Sequence, residues 1–374
     1  MRVALVHDWL VALRGGEKVL KLLCELFPQA PVYTLLYVPG SVGPPVENRP
    51  IVTTALSRFP GVRWYYRSLL PLFPALARSI KLRGFDLVIA VSHCVAHGFA
   101  RGNCKRFVAY YLTPMRYAWM PELYLSARSG SWGRFALRWG AFVFRGWDRR
   151  AARRIDQALC VSESVRRRIK LWYGRDALVV YPPVDTDFYR PLGLKRQDYY
   201  LWVGALAPYK RIDLTLEAFA RLGKPLVVIG EGQGIRSAQR FAPPNVRFLG
   251  RLTDREVLQH YNTCKALVFP GEEDFGLVPV EAQACGCPVI AYGRGGAAET
   301  VIDLKEASEP TGVLFGEPNV EALCAAVLRF ERARKRFDTE VLRRNALRFS
   351  TENCRNAFKS ALGLRDGFAA YRSA

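Results

Sequence analysis

The 374-residue sequence predicts an α/β protein with two domains, each built on a parallel β-sheet. Three observations support this prediction. Short apolar runs that are typical of buried strands alternate with amphipathic runs of helical period, which is the pattern of βα units. The length suffices for two domains of ordinary size. Finally, the break at Tyr181-Pro-Pro-Val-Asp185 can continue neither a helix nor a strand, and it separates the two halves.

The individual strands follow from apolar runs bounded by turn residues. In the first half the predicted strands are residues 3–6, 32–36, 51–54, 86–91, 107–111, 157–161 and 178–181. In the second half, where the alternation is more regular, they are residues 199–203, 226–229, 246–249, 266–269, 288–291 and 312–315. Helices are predicted between them, for example at residues 212–222, 255–264 and 320–330. We expect the two domains to span residues 1–181 and 182–350.

Composition narrows the class of protein. Half of the residues are hydrophobic, which indicates packed cores and not a disordered chain. No run approaches the roughly 18–20 apolar residues of a membrane-spanning helix. His7 and Asp8 interrupt the first apolar run too early for a secretory signal. The nine cysteines are odd in number and lack the paired spacing of a zinc site, so we expect reduced thiols and a cytoplasmic protein.

The positive charge is concentrated in the first half. Residues 1–181 carry 28 Lys and Arg against 10 Asp and Glu, whereas residues 182–374 carry 27 against 23. This asymmetry predicts a polyanionic partner for the first half. Residues 64–83 and 132–147 interleave aromatic side chains with cations. This composition suits binding at the headgroup layer of an anionic membrane. The alternative is that these helices pack normally and their arginines form a solvated face. No nucleic-acid partner is expected, because no reading module accompanies the charge.

Within those two segments, tryptophans are the candidates for interfacial anchors, and four arginines follow the second segment. The tryptophans are Trp64, Trp132, Trp139 and Trp147, and the arginines are Arg149, Arg150, Arg153 and Arg154.

The segment of residues 271–281, GEEDFGLVPVE, carries the strongest chemical signal. Glu273 and Glu281 lie eight positions apart, after a predicted strand and across the start of a predicted helix. A glycine-containing loop at a helix N-terminus directs free N–H groups and the positive end of the helix dipole at an anion. The two carboxylates can accept hydrogen bonds from neutral hydroxyls. A phosphate together with hydroxyls describes a nucleotide sugar.

This segment resembles the E-x7-E motif of the retaining GT-B glycosyltransferases of the family-four group. The order of further strings resembles one branch in particular, the WbaZ-type mannosyltransferases of surface-polysaccharide synthesis. These strings are residues 7–18, 113–119, 181–185, 208–213, 269–286 and 291–299. The resemblance implies two Rossmann-like domains facing across a cleft, with the nucleotide sugar at the strand ends. It also implies that residues 351–374 form a C-terminal helix that returns to the first domain.

The resemblance assigns roles to residues that match the family's motifs. Glu273 and Lys210 are the expected catalytic residues, with Glu273 at the sugar hydroxyls, Lys210 at the diphosphate and Glu281 at the ribose. The full expected donor-binding set is Gly15, Gly16, Lys210, Arg211, Gly230, Glu231, Leu249, Asp274, Phe275, Gly276, Leu277 and Glu281. Ala205 stands where the family usually has a second diphosphate-binding arginine. Because Lys210 would supply a cation at the diphosphate, we expect neither a metal nor another cofactor.

On the acceptor side the resemblance points to Thr113, Arg116 and Tyr117, for which ordinary loop or core packing is the alternative. Leu112 stands where that branch commonly has a histidine. The glycines of residues 292–299 are expected to shape a loop beside the Glu273 turn.

These features together predict a retaining hexosyltransferase that moves mannose from GDP-mannose to a lipid-linked saccharide. Its predicted location is the inner face of the cytoplasmic membrane, where it would bind peripherally. Two alternatives remain open. The donor is another GDP- or UDP-sugar, such as a deoxyhexose, or the chain is a non-catalytic sugar- or anion-binding protein on the same scaffold. Ala205 and Leu112 are the residues that favour the second alternative.

Overall fold

A computed structural model describes residues 1–124, 131–232 and 234–364 of the chain, without the side chains of residues 123–124 and 131–137. The chain divides into two compact units. The first domain comprises Met1–Pro183 together with the chain from Arg355 onward, and the second domain comprises Val184–Cys354. Each is a Rossmann-like α/β domain with a parallel sheet, which confirms the fold class that the sequence predicts.

The sheet of the first domain has seven strands in the order β3-β2-β1-β4-β5-β6-β7. Its strands are β1 (Val3–His7), β2 (Val32–Thr34), β3 (Ile51–Thr53), β4 (Leu87–Ser92), β5 (Arg106–Tyr111), β6 (Gln157–Cys160) and β7 (Leu178–Val179). Its helices are α1 (Gly15–Leu26), α2 (Val62–Tyr65), α3 (Phe73–Ser79), α4 (Arg116–Trp119), α5 (Ser131–Ala152) and α6 (Glu163–Tyr173). All seven predicted strands of the first half are confirmed.

The sheet of the second domain has six strands in the order β10-β9-β8-β11-β12-β13. They are β8 (Tyr200–Val203), β9 (Leu226–Ile229), β10 (Val246–Gly250), β11 (Leu267–Phe269), β12 (Val289–Tyr292) and β13 (Gly312–Phe315). The helices are α7 (Ile212–Leu222), α8 (Ile235–Arg240), α9 (Asp254–Thr263), α10 (Leu277–Ala284), α11 (Ala297–Thr300), α12 (Val320–Ala333) and α13 (Thr339–Leu347). These six strands and the helix at residues 212–222 match the sequence prediction closely.

The core of the second domain explains why the periodic segments fold as they do. Tyr200 and Trp202 of β8 are buried beside Phe219 of α7 and Phe330 of α12. Local signals set the helix limits. Thr253 and Glu256 form a capping box at the start of α9, because each side chain accepts from the backbone N–H of the other residue.

The last helix, α14 (Thr351–Leu362), packs against the first sheet from Arg355 onward. The Arg106 guanidinium donates to the Leu362 carbonyl at 2.8 Å, and the Gln157 amide donates to the Ala361 carbonyl at 3.0 Å. The Phe358 ring lies 5.0 Å from the ring of Tyr110, centre to centre. Backbone carbonyls at the end of α14 are thereby satisfied by side chains of β5 and β6.

Two predictions about the surface of the first domain need correction or restriction. Trp147 is 7% exposed and lies against Gly98, with its ring 5.8 Å from that of His97, so it is a core residue and not an interfacial anchor. The Trp132 side chain lies outside the described residues. Trp64 and Trp139 are 80% and 64% exposed. Among the helices in the described part of the chain, none is long and apolar enough to cross a membrane.

Candidate functional site

The strand order of the second sheet places β8 and β11 side by side at its centre. The chain after β8 turns toward one neighbour and the chain after β11 toward the other. In open parallel sheets, ligands bind outside the carboxyl ends of the strands at such a switch point. Lys210 follows β8 and Glu273 follows β11, and the Lys210 ammonium forms an ion pair with the Glu273 carboxylate. The side chains are 12% and 19% exposed, so the pair is partly open to solvent.

Close backbone packing brings the two loops together. Gly271 is buried, and a Cβ at this position would lie 2.7 Å from the Tyr209 carbonyl oxygen. The Lys210 side chain passes over Gly204, where a Cβ would lie 3.5 Å from Nζ. Its Nζ also lies 5.9 Å from the centre of the Phe269 ring. The cation is therefore held in place by glycine backbone below and an aromatic ring beside it.

Arg211 is placed differently from its neighbour Lys210. It adopts a left-handed conformation, with φ of 53°, between a 3₁₀ turn and α7. Its Nε donates to Asp213 at 3.2 Å, and its Nη1 approaches the Pro318 carbonyl at 3.4 Å. These contacts engage the guanidinium within the domain. The Lys210 cation is thus the one paired with the predicted catalytic glutamate, while a donor role for Arg211 stays a prediction.

The loop after β9 packs on the same switch-point loop through glycine. Gly230 has φ of 142°, and a Cβ there would lie 1.8 Å from the Gly204 carbonyl oxygen. Its N–H donates to the Gly250 carbonyl at 2.7 Å, while the Leu206 N–H donates to the Glu231 carbonyl at 2.9 Å. The Glu231 side chain is exposed. Three strand-end loops are therefore joined by backbone contacts, and the approach of Gly204 leaves no room for a side chain at Gly230.

The loop that carries Glu273 rests on a second pair of glycines. The Gly296 N–H donates to the Glu273 carbonyl at 2.8 Å. A Cβ at Gly295 would lie 2.2 Å from that carbonyl oxygen, and one at Gly296 would lie 2.1 Å from the Phe275 carbonyl oxygen. The predicted role of these glycines, to shape a loop beside the Glu273 turn, is confirmed.

Helix α10 begins directly after this loop. Gly276, at its N-cap, has φ of 82°, and Leu277 is the first helical residue. The free N–H groups of the first turn therefore lie next to Glu273 and the partly exposed Asp274. Phe275 is only 5% exposed, and its ring packs against that of Phe349 at 5.5 Å. If Phe275 contacts the nucleotide sugar, as the sequence predicts, the contact must be made by its backbone.

Glu281 lies within α10 and is 6% exposed. The Tyr261 hydroxyl donates to its Oε2 at 3.4 Å. Burial, and after it the charge of Glu281, raises the pKa of Tyr261 well above its usual value, so the phenol stays protonated and donates. Leu249, the remaining predicted donor residue of this domain, lines a cavity together with Arg247 and His260.

In the first domain the predicted diglycine begins α1. A Cβ at Gly16 would lie 2.6 Å from Leu112 Cδ1 and 3.2 Å from His7 Cε1. The absence of a side chain at Gly16 therefore lets the start of α1 approach the ends of β1 and β5 closely. Gly15 is the first residue of the same helix.

The predicted acceptor residues follow β5. Thr113 is 5% exposed, and its Oγ1 makes no hydrogen bond within the described part of the chain. Arg116 and Tyr117 begin α4 and are half-buried. The Leu112 N–H donates to the Ser92 carbonyl at 2.9 Å, so Thr113 lies at the same sheet edge as the residues that follow β4.

Sequence reasoning missed two histidine–carboxylate pairs at this edge. His7 Nε2 lies 3.4 Å from Glu17, and His93 Nδ1 lies 2.9 Å from Asp8. Burial alone would lower the pKa of His7, but Glu17, Asp8 and the Val91 carbonyl together outweigh burial, and the pKa is raised. Burial alone would raise the pKa of Asp8, but His93, His7 and backbone donors hold it well below its usual range. The sequence string HDW and the glutamate ten residues after His7 were the available signals.

Each half of the chain matches a family of glycosyltransferases. Residues 13–188 match glycosyltransferase family 4, and residues 186–346 match the glycosyl transferases of group 1. The chain belongs to the group 1/family 4 glycosyltransferases. The fold of this chain agrees with that of solved GT-B glycosyltransferases.

Two curated relatives illustrate the range of the family. The D-inositol 3-phosphate glycosyltransferase of Geodermatophilus obscurus is 33% identical over 246 residues, covering 55% of this chain and 50% of the relative. The GDP-mannose-dependent alpha-(1-6)-phosphatidylinositol monomannoside mannosyltransferase of Mycolicibacterium smegmatis is 29% identical over 222 residues, covering 49% of this chain and 57% of the relative. The chain thus spans about half the length of the curated relatives that it matches.

Among solved structures, that of Anabaena HepE with UDP and glucose superposes with a TM-score of 0.69. The superposition covers 97% of this chain and 99% of HepE, at 18% identity. This chain therefore shares the GT-B fold over nearly its whole length.

Proposed function

We propose that this protein transfers a hexose from a nucleotide sugar, with the reaction centred on Lys210 and Glu273. The observation that carries the proposal is the ion pair of these two residues at the switch point between β8 and β11. A cation, a carboxylate and the first turn of α10 meet within one strand-end region. Together they offer partners for both halves of a nucleotide sugar, its phosphates and its hydroxyls.

The proposed chemistry assigns a separate role to each group. As the glycosidic bond breaks, negative charge accumulates on the departing nucleoside diphosphate, and a preorganised cation stabilises it. Lys210 supplies that charge, and the N–H groups at the start of α10 add to it. Glu273 exchanges its ion pair for hydroxyls of the sugar. Ala205 leaves Lys210 without a second cation at the usual family position, and Arg211 is held by Asp213 and Pro318.

We further propose that the configuration at the anomeric carbon is retained and that no metal takes part. Retention is supported by the resemblance of residues 271–281 to the E-x7-E motif. The lysine and the helix N-terminus offer to the diphosphate the positive charge that a divalent cation supplies elsewhere.

GDP-mannose is our first choice of donor. Two similarities support this choice: the sequence strings resemble those of WbaZ-type mannosyltransferases, and the relative from Mycolicibacterium smegmatis is a GDP-mannose-dependent mannosyltransferase. The rival donor is another GDP- or UDP-sugar, since the structurally similar HepE was solved with UDP and glucose.

A lipid-linked saccharide at an anionic membrane surface is the proposed acceptor. The first domain exposes aromatic side chains beside cations. Trp64 is 80% exposed with Arg63 stacked over its ring at 4.6 Å, and on α5 Trp139 and Phe142 are 64% and 71% exposed. Exposed aromatic patches with surrounding arginines are typical of proteins that bind at the headgroup layer.

Thermal-shift measurements with GDP-, UDP- and ADP-sugars test the donor, followed by donor hydrolysis without acceptor. Stabilisation by one nucleotide class with slow hydrolysis is the expected result. Binding without hydrolysis or transfer would identify a non-catalytic sugar-binding protein, and hydrolysis abolished by EDTA would contradict the metal-free site.

The membrane contact is tested separately by liposome co-sedimentation. We expect binding to vesicles with phosphatidylglycerol that weakens as salt rises, because screening acts within about 10 Å at 0.1 M. Changing Arg149, Arg150, Arg153 and Arg154 to Gln should weaken it further, at roughly 1 kcal/mol per cation near the surface. Equal binding to neutral vesicles would refute an electrostatic membrane contact.

A further inference from the structure

The first sheet has its own switch point. Its strand order places β1 beside β4, and the chain leaves these two strands in opposite directions. His7 ends β1, and His93 directly follows β4. We propose that His93 binds, through Nε2, a hydroxyl of a pyranose that is either the transferred sugar or the saccharide that receives it. This inference rests on the proposed glycosyl transfer.

Asp8 fixes the segment that presents His93. Its carboxylate is fully buried and accepts hydrogen bonds from four consecutive backbone N–H groups, at distances of 2.5–3.1 Å. These belong to His93, Cys94, Val95 and Ala96. A carboxylate with this many donors is a rigid anchor, and it holds the turn after β4 against the end of β1.

The same carboxylate orients the imidazole. His93 Nδ1 lies 2.9 Å from Asp8 Oδ2, and the edge of the ring packs on Trp9 with centres 4.5 Å apart. Because Asp8 is ionised, it accepts a hydrogen bond from the Nδ1–H of His93. Nε2 then faces away from Asp8, and it accepts a hydrogen bond from a hydroxyl when the ring is neutral and donates one when the ring is protonated.

Exposure separates His93 from the other histidines. The chain has four. His7 and His97 are 0% and 1% exposed, and each faces a buried carboxylate, Glu17 and Asp148 respectively. The side chain of His93 is 28% exposed although its Nδ1 is buried, so a ligand can reach the ring from the side away from Asp8. His260 belongs to the second domain and contacts the Tyr199 hydroxyl.

The surroundings of His93 suit a sugar. The Leu112 N–H donates to the Ser92 carbonyl, and the Leu112 side chain lies against Gly16. Leu112 thereby supplies an apolar surface at the start of α1. Thr113 follows, and its buried Oγ1 has no hydrogen-bond partner in the described ranges. A hydroxyl of the ligand could therefore form a hydrogen bond with Thr113 as well as with His93. Apolar surface with a few placed polar groups is the usual composition of a small-molecule site.

The experiment compares His93→Ala and His93→Gln with the wild type, each as the full-length protein. It measures the affinity for the nucleoside diphosphate alone, the KM and kcat of donor hydrolysis without acceptor, and the KM and kcat of transfer. We expect His93→Ala to reduce kcat/KM of transfer about tenfold or more, since it removes a hydrogen bond to the sugar. The nucleoside diphosphate affinity and the unfolding temperature should stay near wild type, and His93→Gln should recover part of the loss.

The two sources of the hydroxyl give different results. A loss in hydrolysis as well as transfer assigns the hydroxyl to the donor sugar, whereas a loss in transfer alone, with a raised acceptor KM, assigns it to the acceptor. Wild-type values of all parameters in His93→Ala would overturn the inference while leaving glycosyl transfer intact. An equal fall in nucleoside diphosphate affinity would also overturn it, because His93 would then act through the fold. A wild-type protein that binds no nucleotide sugar would refute the proposed function and this inference with it.

Discussion

The two switch points of this protein are built in different ways. At the second sheet, backbone contacts at Gly204, Gly230 and Gly296 bring the loops together, and the ion pair of Lys210 and Glu273, the proposed catalytic residues, is partly open to solvent. At the first sheet, buried side chains hold the loops: Asp8 binds the turn after β4, and Glu17 faces His7. The comparison teaches that close glycine contacts hold the second edge, whereas the first edge combines one such contact, at Gly16, with buried charged side chains. Substitutions should therefore affect the two edges differently.

The largest expected effect concerns the open pair. Lys210→Ala should reduce turnover by about 10²–10³, because it removes the preorganised charge that stabilises the departing diphosphate. Arg211→Ala is the matched control, since it deletes the neighbouring cation that is bound to Asp213. Steady-state kinetics with the preferred donor measures both. If Arg211→Ala abolishes turnover while Lys210→Ala leaves it near wild type, the assignment of this loop is wrong.

The second prediction tests the backbone contact. Gly230→Ala should lower the free energy of unfolding by on the order of 3 kcal/mol, because the new Cβ meets the Gly204 carbonyl and φ is positive. Gly223→Ala is the control: its φ is 63°, but nothing lies within 4 Å of the new Cβ. Denaturant unfolding of both variants separates the strain of a positive φ from the steric contact. Equal losses in the two variants would show that the close approach to Gly204 contributes nothing.

Features that depend on residues close together in the sequence could be predicted, whereas contacts between distant residues could not. Glycines after apolar strands, and two glutamates eight positions apart, are local patterns, so the loops of the second domain and the strands of both sheets were predictable. Asp8 reaches donors 85 to 88 positions away, and Trp147 packs on Gly98. No local sequence pattern indicates such contacts. For the same reason, an aromatic residue on an arginine-rich helix was wrongly predicted to be an anchor.

The third prediction separates the two glutamates of the second domain. Glu281→Ala should weaken nucleotide-sugar binding by about 1–3 kcal/mol, because it removes a hydroxyl acceptor and leaves the Tyr261 phenol without its partner. Glu273→Ala should depress turnover more than it weakens nucleoside diphosphate binding. Calorimetry and kinetics on the two variants give the comparison. Unchanged nucleotide-sugar affinity in Glu281→Ala would remove Glu281 from the donor site, and equal losses for Glu273→Ala would move that residue away from the sugar.

The smallest expected effect lies in the first domain and depends on pH. Burial opposes charge on His7 and Glu17, but their mutual contact prevails, so the pKa of His7 is raised and that of Glu17 is lowered. The raised pKa of His7 gives stability that is fully present below about pH 6.5 and is lost as pH rises through the folded pKa. The lowered pKa of Glu17 gives stability that is present above about pH 4.3 and is lost as pH falls further.

The pair therefore stabilises the first domain most between these two values. Glu17→Gln keeps an oxygen that can accept the Arg14 N–H, which the wild-type carboxylate accepts at 2.9 Å, but it removes the charge. We expect it to lower the free energy of unfolding by about 1 kcal/mol near pH 5.5, with a smaller difference at pH 8. Denaturant unfolding across this range measures it, with Glu281→Gln as the control carboxylate of the other domain. An equal difference at pH 5.5 and pH 8 would mean that proton binding by His7 is not coupled to Glu17, and that the first edge is held without a buried ion pair.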